Sequence, residues 1–283
     1  MMNSRSKILI AAMILFLSVL ACAVPTLPVS QPTPTFDAVA LETMVAEKVS
    51  AALQETANAS TVAPPATVTA RPPAETSTPE VIPLGSTLTK QEDGSILFVD
   101  DRAGYEVTVP AGWLAVRIDG REYLDAFTLA EAVDPAVQRS LLAVQNQDPN
   151  KFRLFAFDTQ DGHIQSNFVT NINFLWDQQN GMSLADDTDL KEIAASLPSV
   201  IPGIKILTTE IIATAGGISI GSISSEWITQ TTDNPSVPVY QKQVFLKAGT
   251  GTLAITFTTT GGLKDTILPA FDAMIETIEV AGR

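Results

Sequence analysis

The sequence predicts an α+β head, an antiparallel β-sheet flanked by helices on both faces, preceded by a disordered Pro/Thr/Ala-rich stalk. Three observations predict it. Strand-length runs alternate apolar and polar residues between Asp-Gly and Gly-Gly pairs, which favour hairpins and so antiparallel pairing. Helical stripes separate the strand groups, which implies layers. All three Trp, all three Tyr and ten of the twelve Phe follow residue 85, whereas ten of the eighteen Pro fall between Pro25 and Pro83. The core-forming residues therefore belong to 85–283, about the length of one domain.

Residues 1–21 read as a lipoprotein signal peptide. Arg5 and Lys7 precede an uncharged run from Ile8 to Val24, and Val19-Leu20-Ala21-Cys22 fits a lipobox, with small Ala21 before the cysteine. A spanning helix needs about 20 apolar residues, so this run is short for one. An uncleaved anchor and a plain secretory signal stay open as alternatives. Lipidation accounts for Cys22 being the only cysteine. An exported chain with one thiol makes no internal disulfide, and a thioether removes the oxidation hazard. Two or more palmitate-type chains hold a protein firmly where one does not. The expected location is the cell membrane, lipid-anchored and facing the extracytoplasmic side.

The chain has 17 basic and 31 acidic residues, a formal charge of −14. Loss of residues 1–21, which carry Arg5 and Lys7, leaves −16. Such a field repels nucleic acid and anionic headgroups, so no nucleic-acid partner is expected.

Residues 22–84 form the stalk. Pro, Thr, Ala and Ser bury too little apolar surface to offset ordering entropy. Pro-rich chain extends ~3.1 Å per residue, so 58–84 reaches about 80 Å. Residues 37–57 interrupt it with a helical stripe, Leu41, Val45, Val49 and Leu53, behind an Asp37 N-cap. This helix either self-associates or, being short, fluctuates alone. The Thr/Pro stretches resemble O-glycosylated stalks, and Asn58-Ala59-Ser60 fits an N-glycosylation pattern.

Within the head, Asp93-Gly94, Asp119-Gly120, Asp161-Gly162, Gly216-Gly217 and Gly249-Thr250-Gly251 read as turns. Tyr105, Val107 and Val109 share one strand face, ending at Pro110. Phe152, Leu154 and Ala156 face one way, and Phe155 and Phe157 the other. That strand, like Ile96 to Val99, needs cover on both sides. Ile218 and Ile220 alternate, and Ile223 then changes parity, which reads as a bulge at Gly221. Leu253, Ile255 and Phe257 oppose Thr252, Thr256 and Thr258.

The helical cover comes from four segments. A short helix is expected over 122–133. Asp134-Pro135 starts the next, with Val137, Leu141 and Val144 on its stripe. Asp189 and Glu192 resemble a capping box ahead of Leu190, Ile193 and Leu197. The last stripe is Ile267, Phe271, Met274, Ile275 and Ile278, with Pro269 tolerable only in its first turn.

The run Tyr105-Glu106-Val107-Thr108-Val109-Pro110-Ala111-Gly112-Trp113, the strand Phe168-Val169-Thr170-Asn171-Ile172-Asn173-Phe174 and the closing amphipathic helix resemble the PsbP-like superfamily (PsbP/LpqN-type domains) over about 95–280. The resemblance implies an α/β/α sandwich on a bacterial lipoprotein and a partner-binding role without known catalysis. The metal-associated residues of the photosystem member have no counterparts here, and none is carried over.

Chemistry-bearing residues are sparse. His163 is the only histidine, so any Ser-His-Asp arrangement must use it, and no Gly-x-Ser-x-Gly elbow is present. It reads as an exposed turn residue. Zinc favours Cys and His, and the head has one His and no Cys. Asp186, Asp187 and Asp189, or Asp100-Asp101, have oxygen ligands for calcium, but without EF-hand spacing. A helix start explains the first group and a turn the second. No phosphate-binding glycine motif occurs, so no cofactor, metal or catalytic residue is expected. The candidate contacts for a ligand or partner are Trp113, Trp176, Trp227, Asn171 and Asn173, with a core role the alternative for the tryptophans. The expected function is a non-catalytic, surface-displayed binding or assembly module, tied to the membrane through Cys22, for an envelope protein or small ligand. The rival readings are an oligomeric structural envelope lipoprotein and, remotely, a cell-envelope hydrolase.

Overall fold

The computed structural model describes residues 85–231, 234 and 236–281. The signal peptide, Cys22, the stalk and the helix expected at 37–57 lie outside the described residues. In chain order the strands are β1 (Ser86–Lys90), β2 (Ile96–Asp100), β3 (Tyr105–Val109), β4 (Trp113–Val116), β5 (Phe152–Asp158), β6 (Ile164–Gln165), β7 (Phe168–Val169), β8 (Asn171–Asp177), β9 (Lys205–Ala213), β10 (Ser219–Thr229), β11 (Val237–Ala248), β12 (Gly251–Thr260) and β13 (Glu279–Val280). The α-helices are α1 (Arg121–Ala126), α2 (Pro135–Val144), α3 (Thr188–Ser196) and α4 (Lys264–Glu276).

All strand pairs are antiparallel, but they form two main sheets where one central sheet was expected. One has the order β1-β2-β3-β13 and the other β4-β5-β8-β12-β11-β10-β9, with β6-β7 a small ribbon. The break falls at Pro110-Ala111-Gly112. Proline offers no N–H to continue the ladder, and Gly112 turns the chain at φ +83°, a conformation that disfavours side chains. β3 thus pairs back onto β2, while β4 starts afresh against β5.

Two apolar clusters occupy opposite faces of the seven-stranded sheet. One joins Phe155, Phe157, Leu175, Phe245 and Ile223 to Tyr123 of α1, Val137 and Leu141 of α2 and Leu190 and Ile193 of α3. The other joins Leu154, Ile172, Phe174, Leu253 and Ile255 to Phe98 and Val107 of the smaller sheet and Ile267, Phe271 and Met274 of α4. Each fully buried large apolar side chain contributes roughly 1.5–3 kcal/mol, which makes these clusters the main source of stability.

Several local expectations change. Phe152 joins the face of Phe155, with their rings 5.5 Å apart, because Arg153 is an extra residue in β5 between the pairs Phe152–Leu175 and Leu154–Phe174. β10 has no bulge at Gly221. Ile220 and Ile223 face opposite clusters, and the register shift falls between Ser224 and Ser225 against β9. In β2 only Phe98 and Asp100 are buried, since the outer face of the smaller sheet is not covered as expected. Asp119-Gly120 starts α1 rather than a hairpin, with Gly120 as N-cap.

The helix expected over 122–133 is split into α1 and a 3-10 turn at Ala130–Ala132. The Thr128 hydroxyl donates to the Asp125 carbonyl at 2.8 Å, and the Thr128 and Leu129 amides reach three residues back, tightening the chain out of α geometry. Asp134 caps α2 through Ala136 N at 2.7 Å, with Pro135 in the first turn. The N-cap of α3 is Asp187, so Asp189 lies inside the first turn, where it accepts from Ser183 N at 3.1 Å. Since α4 begins at Lys264, Pro269 falls in its second turn and leaves the Asp265 carbonyl without the usual helical donor.

Candidate functional site

Side chains along the long strands alternate between the two sheet faces, and the registers arrange them in cross-strand rows. On the face bearing α1, α2 and α3, one row runs Phe155, Asn173, Thr256, Gln243, Ile223. Its polar members are buried, with Asn173 2% exposed, Thr256 0% and Gln243 1%. Asn173 Oδ1, Thr256 Oγ1 and both amide atoms of Gln243, Oε1 and Nε2, have no hydrogen-bond partner.

The rows on either side differ. One is apolar: Phe152, Leu175, Ala254 and Phe245, ending at Gly221. The other runs Phe157, Asn171, Thr258, Gln241, Ser225, and side-chain hydrogen bonds form along it. Asn171 Nδ2 donates to the Val169 carbonyl at 3.0 Å, and Gln241 Nε2 to Thr258 Oγ1 at 3.4 Å. The unmet row thus lies between a polar row that makes these two hydrogen bonds and an apolar one.

An unmet buried donor or acceptor costs about 1–3 kcal/mol. Several in one row add up to a sizeable part of a typical stability of ~5–15 kcal/mol. Four of the eight buried side-chain atoms without a hydrogen-bond partner among the described residues lie in this one row, and such groups in a native fold call for a reason. Of the helices on this face, α1 packs against β4, α2 against β7, and α3 against β9 and β10. A cleft of about 520 Å³ opens near one end of β10 and β11, lined in part by Met182, Leu184, Ile218 and Lys247. Met182 and Leu184 also pack against the cluster on the α1–α3 side.

Of the sequence candidates, Asn173 belongs to the unmet row and Asn171 to the polar row beside it. Trp227 is buried on the same face, paired with Val239 across β10 and β11. Trp113 and Trp176 are buried on the opposite face, where Trp176 Nε1 donates to the Ala248 carbonyl at 3.2 Å. The three tryptophans therefore do not line one groove. Sequence reasoning did not single out Gln243, and placed Thr256 only on the face opposite Ile255. Polar residues alternating with apolar ones on β8, β11 and β12 were the available signal.

His163 is less exposed than a turn tip. Its Nδ1 is 2.7 Å from Asp158 Oδ2, with the carboxylate fully buried and the ring 22% exposed. No serine or threonine hydroxyl is hydrogen-bonded to this ring among the described residues. Asp100 and Asp101 part company. Asp100 is buried and bonded to Arg153 and to the amides of Arg102 and Ala103, while Asp101 is exposed. Asp186 Oδ1 accepts from Thr188 N at 3.0 Å, and the Thr188 backbone and side-chain hydrogen bonds hold its carboxyl below the usual range. Asp187 pairs with Lys191. Among the described residues no three His, Cys, Asp or Glu side chains are grouped to hold a metal, and no helix is long and apolar enough to cross a membrane.

No protein-family model matches the chain, and no curated protein matches it. Solved structures give distant likenesses. PsbP (CyanoP) of Synechocystis is 13% identical, over 72% of this chain and 97% of that one, with a TM-score of 0.38. LpqN of Mycobacterium tuberculosis, involved in cell envelope biogenesis, is 12% identical, over 70% and 91%, at 0.37. The Saccharomyces cerevisiae Ran-binding protein Mog1p is 8% identical, over 69% and 95%, also at 0.37. Likenesses this distant carry no argument about this chain, whose antiparallel α+β architecture rests on its own strand registers.

Proposed function

We propose that the chain is a bacterial lipoprotein, cleaved before Cys22, held by acyl chains on that sulfur and displaying residues 85–283 on the extracytoplasmic side. The head is a non-catalytic binding module with the layering of a PsbP-like sandwich, and its ligand sits on the row Asn173, Thr256, Gln243. The lipobox ending at Cys22 supports the anchoring. The single observation that carries the binding role is the set of buried, unmet polar atoms in that row. Mass spectrometry of the native protein tests the anchor, which predicts an N-terminal Cys22 bearing acyl chains. An intact leader or an unmodified thiol there contradicts it.

One observation favours a second reading, a structural lipoprotein that self-associates. Leu124 on α1, Val133 ahead of α2 and Leu142 on α2 are 70%, 72% and 51% exposed. Sedimentation of the full mature protein, with and without residues 37–57, tests it. A monomer in both cases removes this reading.

A further inference from the structure

We infer that the unmet row takes an uncharged ligand presenting a carboxamide or lactam edge, of about capped-dipeptide length. The inference rests on the reading above, that this row is a binding site, and adds the chemistry of what binds.

Charge is the first constraint. No Asp, Glu, Lys, Arg or His occurs in the row or in either flanking row. A charged group set down there would be desolvated with no opposite charge to meet it, so the contacting part of the ligand is neutral.

Gln243 supplies the second. Its Oε1 and Nε2 are both buried and both unmet. They are the two ends of one planar amide, an acceptor beside a donor. The group that satisfies both at once offers a donor beside an acceptor in the same plane. A carboxamide or a lactam does so through two parallel hydrogen bonds of ordinary length.

The third is spacing. Thr256 stands next to Gln243 and Asn173 next to Thr256, each on the adjacent strand. Two strand spacings are about 10 Å. Peptide chain covers ~3.3–3.6 Å per residue, so two residues with blocked ends span this row. Along it, Thr256 Oγ1 can donate or accept, and Asn173 Oδ1 requires a donor, which a further amide N–H provides. The apolar row of Phe152, Leu175, Ala254 and Phe245 lies alongside for uncharged side chains.

The test is isothermal titration of the full-length protein in detergent with three probes: N-acetyl-alanyl-alaninamide, zwitterionic alanyl-alanine and maltose. The expected result is saturable binding of the capped dipeptide alone, weakened about tenfold or more in both Gln243→Met and Thr256→Val. Both variants are also melted without ligand, and neither should melt below wild type. Binding of maltose in place of the capped dipeptide, lost in the same variants, overturns the amide assignment and leaves the binding role standing. The same holds if no probe binds while both variants melt higher. Capped-dipeptide binding untouched by either substitution overturns the site. If no probe binds and both variants melt lower, the row is structural, and the ligand class and the binding role fall together.

Discussion

Arg153 grips Asp100 across two sheets. Its Nε lies 2.6 Å from Asp100 Oδ2 and its Nη2 3.3 Å from Oδ1, with the side chains 4% and 0% exposed. A third guanidinium nitrogen donates to the Pro149 carbonyl at 2.7 Å. Asp100 ends β2 and Arg153 is the extra residue of β5, so the pair pins the four-stranded sheet to the seven-stranded one. The bulge that turns Phe152 to the far face gives Arg153 its place in this bridge.

Removing one member of a buried pair strands the other charge. Arg153→Ala is expected to lower stability by about 3–5 kcal/mol. By contrast Arg121→Ala, whose partner Asp125 is well exposed, should change it by under about 1 kcal/mol. Urea unfolding of the three proteins makes the comparison. Similar losses in both variants would contradict the bridging role of Asp100–Arg153.

Tyr105 lies beside this pair. Burial, reinforced by the charge of Asp100 and opposed by Arg153, holds its phenol well above the usual value of 10.0. The folded state therefore keeps a proton that the unfolded chain has released. The resulting stability is fully present below about pH 10 and is lost as pH rises toward the folded pKa. The hydroxyl also has no hydrogen-bond partner. Tyr105→Phe should thus be neutral or stabilising by about 1 kcal/mol near pH 7, and should flatten the alkaline loss. Unfolding free energies measured from pH 7 to 11 check both parts.

Gly221 makes room for α3. A Cβ there would meet the Leu190 methyl carbons at 2.6 and 2.8 Å and Leu184 Cδ2 at 3.0 Å, and Leu190 is fully buried. Gly221→Ala should destabilise by about 1–3 kcal/mol, because a packed core absorbs an added methyl poorly. Thermal melting is the readout, and an unchanged melting temperature would show that α3 moves aside freely.

What could be read beforehand was local. Asp134-Pro135 announces α2 because cap and proline act within one turn. The β1–β2, β9–β10 and β11–β12 hairpins follow from their glycine turns. What escaped depends on partners far along the chain. The fourth strand of the smaller sheet exists only because Val280 returns to pair with Tyr105. The bulge at Arg153 has its use only once Asp100, 53 residues earlier, is in place. Asn173 was legible as polar on a strand. Its row with Thr256 and Gln243 exists only in the register of β8, β12 and β11, and no spacing along one strand encodes that register.

Thr256→Val tests the central claim most directly, since it swaps an unmet buried hydroxyl for a methyl of equal size. If the row is kept for a ligand, urea unfolding of the ligand-free protein should show Thr256→Val more stable than wild type by about 1 kcal/mol. If Thr256→Val is instead less stable by a similar amount, its hydroxyl serves the fold and the account of the row is wrong.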